Sequence, residues 1–201
     1  MNKIETALIK SLQQTSIEFG EDELAFLALT TKIELPLRDR WAYVLYRKLS
    51  RSNLIVSREW KRIDLAVLKD KIPLALIQLK AMYTFNAVYE RGFYKRAIKC
   101  LKEDVRKARK LATQDTTVYT VLLATHPMSE IGTELENVVK FRSGMNGALR
   151  DLGRPEAVAK AARRRVKKGF GDQNIVKSGV LHGGSAFGVD TNVMYWIIRA
   201  R

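Results

Sequence analysis

Residues 59–80 read EWKRIDLAVLKDKIPLALIQLK. Two short apolar runs, 62–69 and 72–80, flank a charged turn at Lys69, Asp70 and Lys71. The runs are strand-length and rich in β-branched and apolar residues, which predicts a β-hairpin. On a strand, residues two apart share a face and stand about 6.5–7 Å from each other. Gln78 and Lys80 therefore project together, and Asp64, opening the paired strand, meets them at one end of the hairpin. An acid, an amide carbonyl and an ammonium converging at a sheet edge suit metal-assisted attack on a phosphodiester. The acid holds a hard cation, and the lysine orients water or neutralises developing charge. A purely structural reading competes with this one. An Asp often opens a strand as a turn residue, and a Lys often guards a sheet edge. Gln78 is harder to dismiss, because burying it without a partner costs about 1–3 kcal/mol.

Outward from the hairpin, the run 53–60 supplies a strand before it, so 53–60, 62–69 and 72–80 form a three-strand meander. A helix over 36–49 precedes it, with Pro36 in the first turn. Leu37, Trp41, Val44, Leu45 and Leu49 line its apolar face, with Arg38, Arg40, Arg47 and Lys48 elsewhere. Helical rhythm also marks 2–18, and Leu24 to Leu29 either continue that helix or form a short one of their own. Beyond the meander, 87–112 is a long amphipathic helix with Phe93, Ala97, Ile98, Leu101, Val105 and Ala108 inward. Residues 116–125 are a core strand ended by His126 and Pro127. Tyr83 and Asn86 stand within reach of the hairpin end, and Tyr83 and Phe85 equally suit a core. A strand that follows a crossover helix pairs in parallel, so the class is α/β, a mixed central sheet flanked by helices.

The last third holds helical material over 128–150, with Gly144 and Gly147 near a bend, and a helix over 155–168. Strands follow at 175–181, 186–189 and 193–198, with turns at Gly183-Gly184 and at Asp190 to Asn192. A loop at 169–174 separates the core from this C-terminal strand-rich extension. The glycine-rich stretch 182–188 lacks the Lys-Ser/Thr of a phosphate-binding loop, and its glycines read as turn or bulge residues.

The 201 residues make one domain, with a core over about 30–130 and a basic helix and strands over 131–201. Thirty-six Lys and Arg against 21 Asp and Glu leave a formal net charge of +15, which suits a phosphate backbone. The cations cluster in two helices. Residues 91–110 carry Arg91, Lys95, Arg96, Lys99, Lys102, Arg106, Lys107, Arg109 and Lys110, and residues 160–168 carry Arg163, Arg164, Arg165 and Lys167. Such faces are often merely solvated. Beside a metal-type site they favour a nucleic-acid groove. Two histidines and the single Cys100 argue against a zinc site, and one cysteine excludes an internal disulfide. No apolar run reaches membrane-span length and no signal peptide is evident, so the expectation is a cytoplasmic protein without membrane partners.

Asp64…Gln78-x-Lys80 in this strand context resembles the PD-(D/E)XK (restriction-endonuclease-like) nuclease superfamily, whose core motif is an Asp on one strand and Glu-x-Lys on the next. Gln in place of the Glu is also seen in its Mrr-like branch. The resemblance covers about residues 30–130. It implies a restriction-endonuclease-like core and a nuclease that uses Mg²⁺ or Mn²⁺, with DNA favoured over RNA and a 5′-phosphate product. Asp64, Gln78 and the Leu79 carbonyl would hold the metal, and Lys80 would act on the attacking water. The uncharged Gln78 leaves room for another acid. The resemblance implies one from the helix before the meander, and Glu34 and Glu59 are the favoured candidates, with Asp39 a third. Lys95, Lys99, Lys102, Arg106, Arg163, Arg164, Arg165 and Lys167 would contact the nucleic acid, and a homodimer would suit duplex cleavage. The alternative is the same fold serving as a non-catalytic nucleic-acid-binding or assembly module.

Overall fold

A computed structural model describes residues 3–89 and 93–200, Phe93 by its backbone alone. Arg91 and the side chain of Phe93 lie outside the described residues. The expected meander is present: β1 (Ile55–Trp60), β2 (Ile63–Lys69) and β3 (Ile72–Tyr83) run antiparallel. Both hairpins turn on two residues with left-handed φ, Lys61 and Arg62 (51° and 69°), then Asp70 and Lys71 (50° and 68°). That is the geometry whose twist matches paired strands. Register shifts by one residue next to Pro73, which has no N–H to give the ladder.

β4 (Thr117–Pro127) pairs in parallel with β3, as the intervening helix requires. The sheet continues through β6 (Val189–Arg199) to β5 (Ile175–Ala186), both antiparallel, in the order β1-β2-β3-β4-β6-β5. The C-terminal strands thus extend the same mixed six-stranded sheet. They are two long strands rather than three short ones, and they turn at Phe187 and Gly188. Gly183 and Gly184 form a bulge within β5, and Asp190 to Asn192 lie inside β6. A Cβ on Gly183 would come within 2.6 Å of the Thr191 carbonyl oxygen, so only glycine permits that approach.

Strand alternation splits the core into two layers. On one face α1 (Lys3–Thr15), α2 (Glu23–Thr30) and α3 (Glu34–Leu49) bury Leu8, Leu12, Leu37, Trp41 and Leu45 against Leu65, Ile77, Leu79, Val121 and Ile197. Trp41 donates its indole N–H to Ser11 Oγ at 2.8 Å, which fixes α3 against α1. Buried Glu5 accepts from Tyr119 at 3.1 Å and pairs with Arg199, tying α1 to β4 and β6. On the other face α5 (Phe93–Arg109) and α7 (Pro155–Phe170) pack Leu101, Ala162 and Val166 onto Leu122, Trp196 and Ile198. The helix expected over 87–112 is two elements, α4 (Thr84–Val88) and α5, and residues 90–92 lie outside the described residues. Gly144 and Gly147 sit within α6 (Arg142–Leu152), not at a bend. Among the described residues, no helix is long and apolar enough to cross a membrane.

His126 lies in β4, buried, with Nδ1 3.2 Å from Thr84 Oγ1. Burial, with the Arg163 charge adding to it, lowers its pKa to about 4. The fold therefore holds the neutral ring, and this contribution to stability is present above about 6.5 and lost as pH falls toward about 4. Urea midpoints measured from pH 7 to pH 4 should fall more steeply for the wild type than for His126→Gln. Parallel curves would rule out a buried neutral histidine.

Candidate active site at the open edge of the third strand

The site follows from a mismatch in strand length. The β2–β3 ladder stops at Leu65 and Ile77, while β3 runs on to Tyr83. Alternate N–H groups of β3 beyond that point have no strand to bond, and an unpaired buried N–H costs about 1–3 kcal/mol. Side chains supply the acceptors. Leu79 N–H donates to Asp64 Oδ2 at 2.7 Å, Ala81 N–H to Glu34 Oε2 at 2.9 Å, and Tyr83 N–H to Asn86 Oδ1 at 2.8 Å. Two of these acceptors are carboxylates, one from the start of β2 and one from the first turn of α3.

Lys80 completes the cluster, with Nζ 3.5 Å from Glu34 Oε2 and a partly exposed side chain. Gln78, on the same face of β3, is only 5 % exposed. Its Nε2 donates to the Arg62 carbonyl at 3.4 Å, and its Oε1 stands 3.5 Å from Asp64 N. A strand residue points its N–H and C=O toward the same edge, so the Leu79 carbonyl faces the gap that Asp64 and Glu34 occupy. Asp64, Gln78, Lys80, Leu79 and Glu34 thus meet at one place.

Glu59 behaves differently. It has a left-handed φ of 54°, its side chain is 68 % exposed, and its carboxylate lies 2.6 Å from Arg38 Nη1. Arg38 also binds Asp39 at 2.8 Å. Glu59 therefore joins the cluster only through Arg38. Arg38 itself was expected away from the apolar face, yet it is 6 % exposed. Its position four residues after Glu34 puts both on one side of α3, and that spacing was the signal available in the sequence.

Burial pushes the Asp64 carboxyl above the ordinary carboxylate range. The Leu79 N–H pulls it down, Glu34 pushes it up, and Arg38 and Lys80 pull it down again, but burial prevails. Asp64 Oδ1 and Glu34 Oε1 carry no hydrogen bond among the described residues. Two carboxylates, an amide and a main-chain carbonyl are all hard oxygen donors. They fit a cation such as Mg²⁺, which commonly takes one or two carboxylates and keeps several waters. They do not suit zinc or a denser all-carboxylate cage. Among the described residues, no group of three or more His, Cys, Asp and Glu is placed to hold a metal.

The basic stripe of α5 faces elsewhere. Lys102, Arg106 and Arg109 line a groove of about 320 Å³ with Phe170, Asn174 and Arg199, and Glu34, Asp64, Gln78 and Lys80 do not border it. Lys95 and Lys99 continue the stripe along the outside of α5. On α7, Arg163, Arg164 and Lys167 are exposed, Arg165 is half-buried, and Lys167 pairs with Asp172 at 3.2 Å. No protein-family model, curated protein or solved structure matches the chain.

A carboxyl held above its ordinary pKa disfavours the fold once it is ionised, at every pH above the raised value. Asp64→Asn keeps an acceptor for Leu79 N–H and removes the charge. Its melting temperature at pH 7 should equal or exceed the wild type, by roughly 1–4 °C if the relief approaches 1 kcal/mol. A clear fall would show that the Asp64 charge itself stabilises the fold.

Proposed function

We propose that this chain is a divalent-metal-dependent nuclease with a restriction-endonuclease-like core, hydrolysing phosphodiester bonds of DNA in a restriction, defence or repair setting. The observation that carries the reading is the convergence of Glu34, Asp64, Gln78 and Lys80 at the start of β2, with Lys80 3.5 Å from Glu34. Asp64 and Glu34, with the Gln78 amide oxygen and the Leu79 carbonyl, would hold Mg²⁺ or Mn²⁺. When bound, such a cation neutralises phosphoryl oxygens and favours ionisation of water. Glu34 holds the Lys80 ammonium at the site. Lys80 orients the attacking water and donates to the oxygen that gains charge in the transition state. Arg38 keeps Glu59 and Asp39 occupied and lowers the charge imbalance around Asp64.

A second reading, a binding or assembly module without cleavage, is favoured by one feature. The neutral Gln78 stands where a third negative charge would strengthen the hold on a cation. The +15 net charge serves both readings.

Supercoiled, linear and single-stranded DNA, and RNA, should be incubated with the protein and Mg²⁺ or Mn²⁺. Cleavage of DNA that falls at least about 100-fold in both Lys80→Ala and Asp64→Asn is expected, the scale of losing one preorganised group. Salt-sensitive binding without cutting, unchanged in both variants, would replace the nuclease with the binding module.

The acid limb of the pH–rate profile offers a separate check. Asp64 must be ionised to bind metal, so activity falls as pH drops through its raised pKa. Lys80 lowers that pKa, so the limb for residual activity in Lys80→Ala should move to higher pH. An unmoved limb would detach Lys80 from Asp64.

A further inference from the structure

At the far end of β3, next to Glu34, lies a small pocket of about 150 Å³ with a mostly apolar lining. Ala81 and Ile33 form its border with the site, for Glu34 bonds the Ala81 N–H and directly follows Ile33. Three rings line it beside Thr31, Met82, Asn86 and Thr125. Tyr83 lies 5.8 Å from Phe85 and 5.2 Å from Phe141, centroid to centroid. Phe85 is pressed against α6, where a Cβ on Gly144 would come within 2.7 Å of its ring. Phe141 is different. It is 55 % exposed and has a left-handed φ of 59° at the start of α6. A bulky side chain in that backbone conformation stores strain, and such residues gather at ligand sites.

We propose that this pocket takes one unstacked nucleobase of the strand being cut, with the exposed face of Phe141 as the stacking platform. The inference rests on the nuclease reading and adds that the substrate presents an unpaired or extruded base beside the scissile phosphate. Size limits the occupant. An apolar space of about 150 Å³ admits a single aromatic ring system, and drug-sized pockets begin near 300 Å³. Charge selects among ring-bearing partners, because the chain carries +15 and exposed Lys32 borders the pocket. Asn86 Oδ1 already accepts from Tyr83 N–H, and its amide N–H groups remain as donors to a base. Stacking on an aromatic ring is tolerant of sequence, so the pocket would read strandedness more than identity.

The test uses the full chain with metal chelated, so that binding is measured without cleavage. Single-stranded oligonucleotides carry an anisotropy label at one end and 2-aminopurine at successive positions. One position should change its 2-aminopurine emission about twofold or more on binding. In Phe141→Gly, which removes the ring and suits the left-handed backbone, that change should vanish and affinity should drop roughly 5-fold or more. Binding with equal emission at every position, or with a response unchanged in Phe141→Gly, overturns the base pocket and leaves the nuclease reading standing. Absence of any DNA or RNA binding overturns both. Phe141-dependent binding of a Trp- or Phe-bearing peptide, with no oligonucleotide response, assigns the pocket to a protein partner instead.

Discussion

One long strand that outruns its neighbour sets the terms for the rest of this molecule. β3 must cross the whole sheet to pair with β4, and β2 covers only its first half on the other side. The remaining N–H groups have to be satisfied without a neighbouring strand. The chain meets that need with Asp64, Glu34 and Asn86. Choosing carboxylates for two of the three concentrates negative charge at a spot where the backbone is open. Lys80 and Arg38 then gather around it, because uncompensated buried charge is far costlier than the pair. The same atoms that finish a sheet thereby form a polar cluster of mixed charge.

Much of this was legible in the residues. The charged interruption at Asp70 between two apolar runs announced the hairpin, and its spacing put Gln78 and Lys80 on one face. The long amphipathic segment before residue 116 announced a crossover and hence a parallel pair. Glu34 was a candidate only through the resemblance, which implies an acid from the helix before the meander. What could not be read was set by tertiary choice. Arg38 looked like a surface residue by its chemistry, and only its carboxylate partners make its burial tolerable. Glu59 was placed by sequence near Asp64, but its reversed backbone and its pull toward Arg38 depend on how α3 docks. The C-terminal strands were cut short in the reading because Gly183-Gly184 looks like a turn, and only the close approach to Thr191 shows the glycines to be a bulge in a continuing strand.

The cationic helices show a related limit. Periodicity places Lys95, Lys99, Lys102 and Arg106 on one stripe of α5 but does not say which neighbour that stripe faces. In the fold Lys102 and Arg106 border a groove shared with α7 and β6, and Lys95 and Lys99 lie along the outside of α5. That groove and the Glu34–Asp64–Lys80 cluster share no lining residue.

The two rims of the sheet carry a last consequence. An open sheet ordinarily leaves a strand at each side able to recruit another chain. Here β1 is kinked by the left-handed Glu59 and studded with Arg58 and Glu59. β5 is distorted by its double-glycine bulge, where Asp22, at the start of α2, accepts the Ser185 N–H at 2.6 Å. Each rim thus carries an interruption that discourages strand addition. The protein thereby carries its own defence against growth into ribbons.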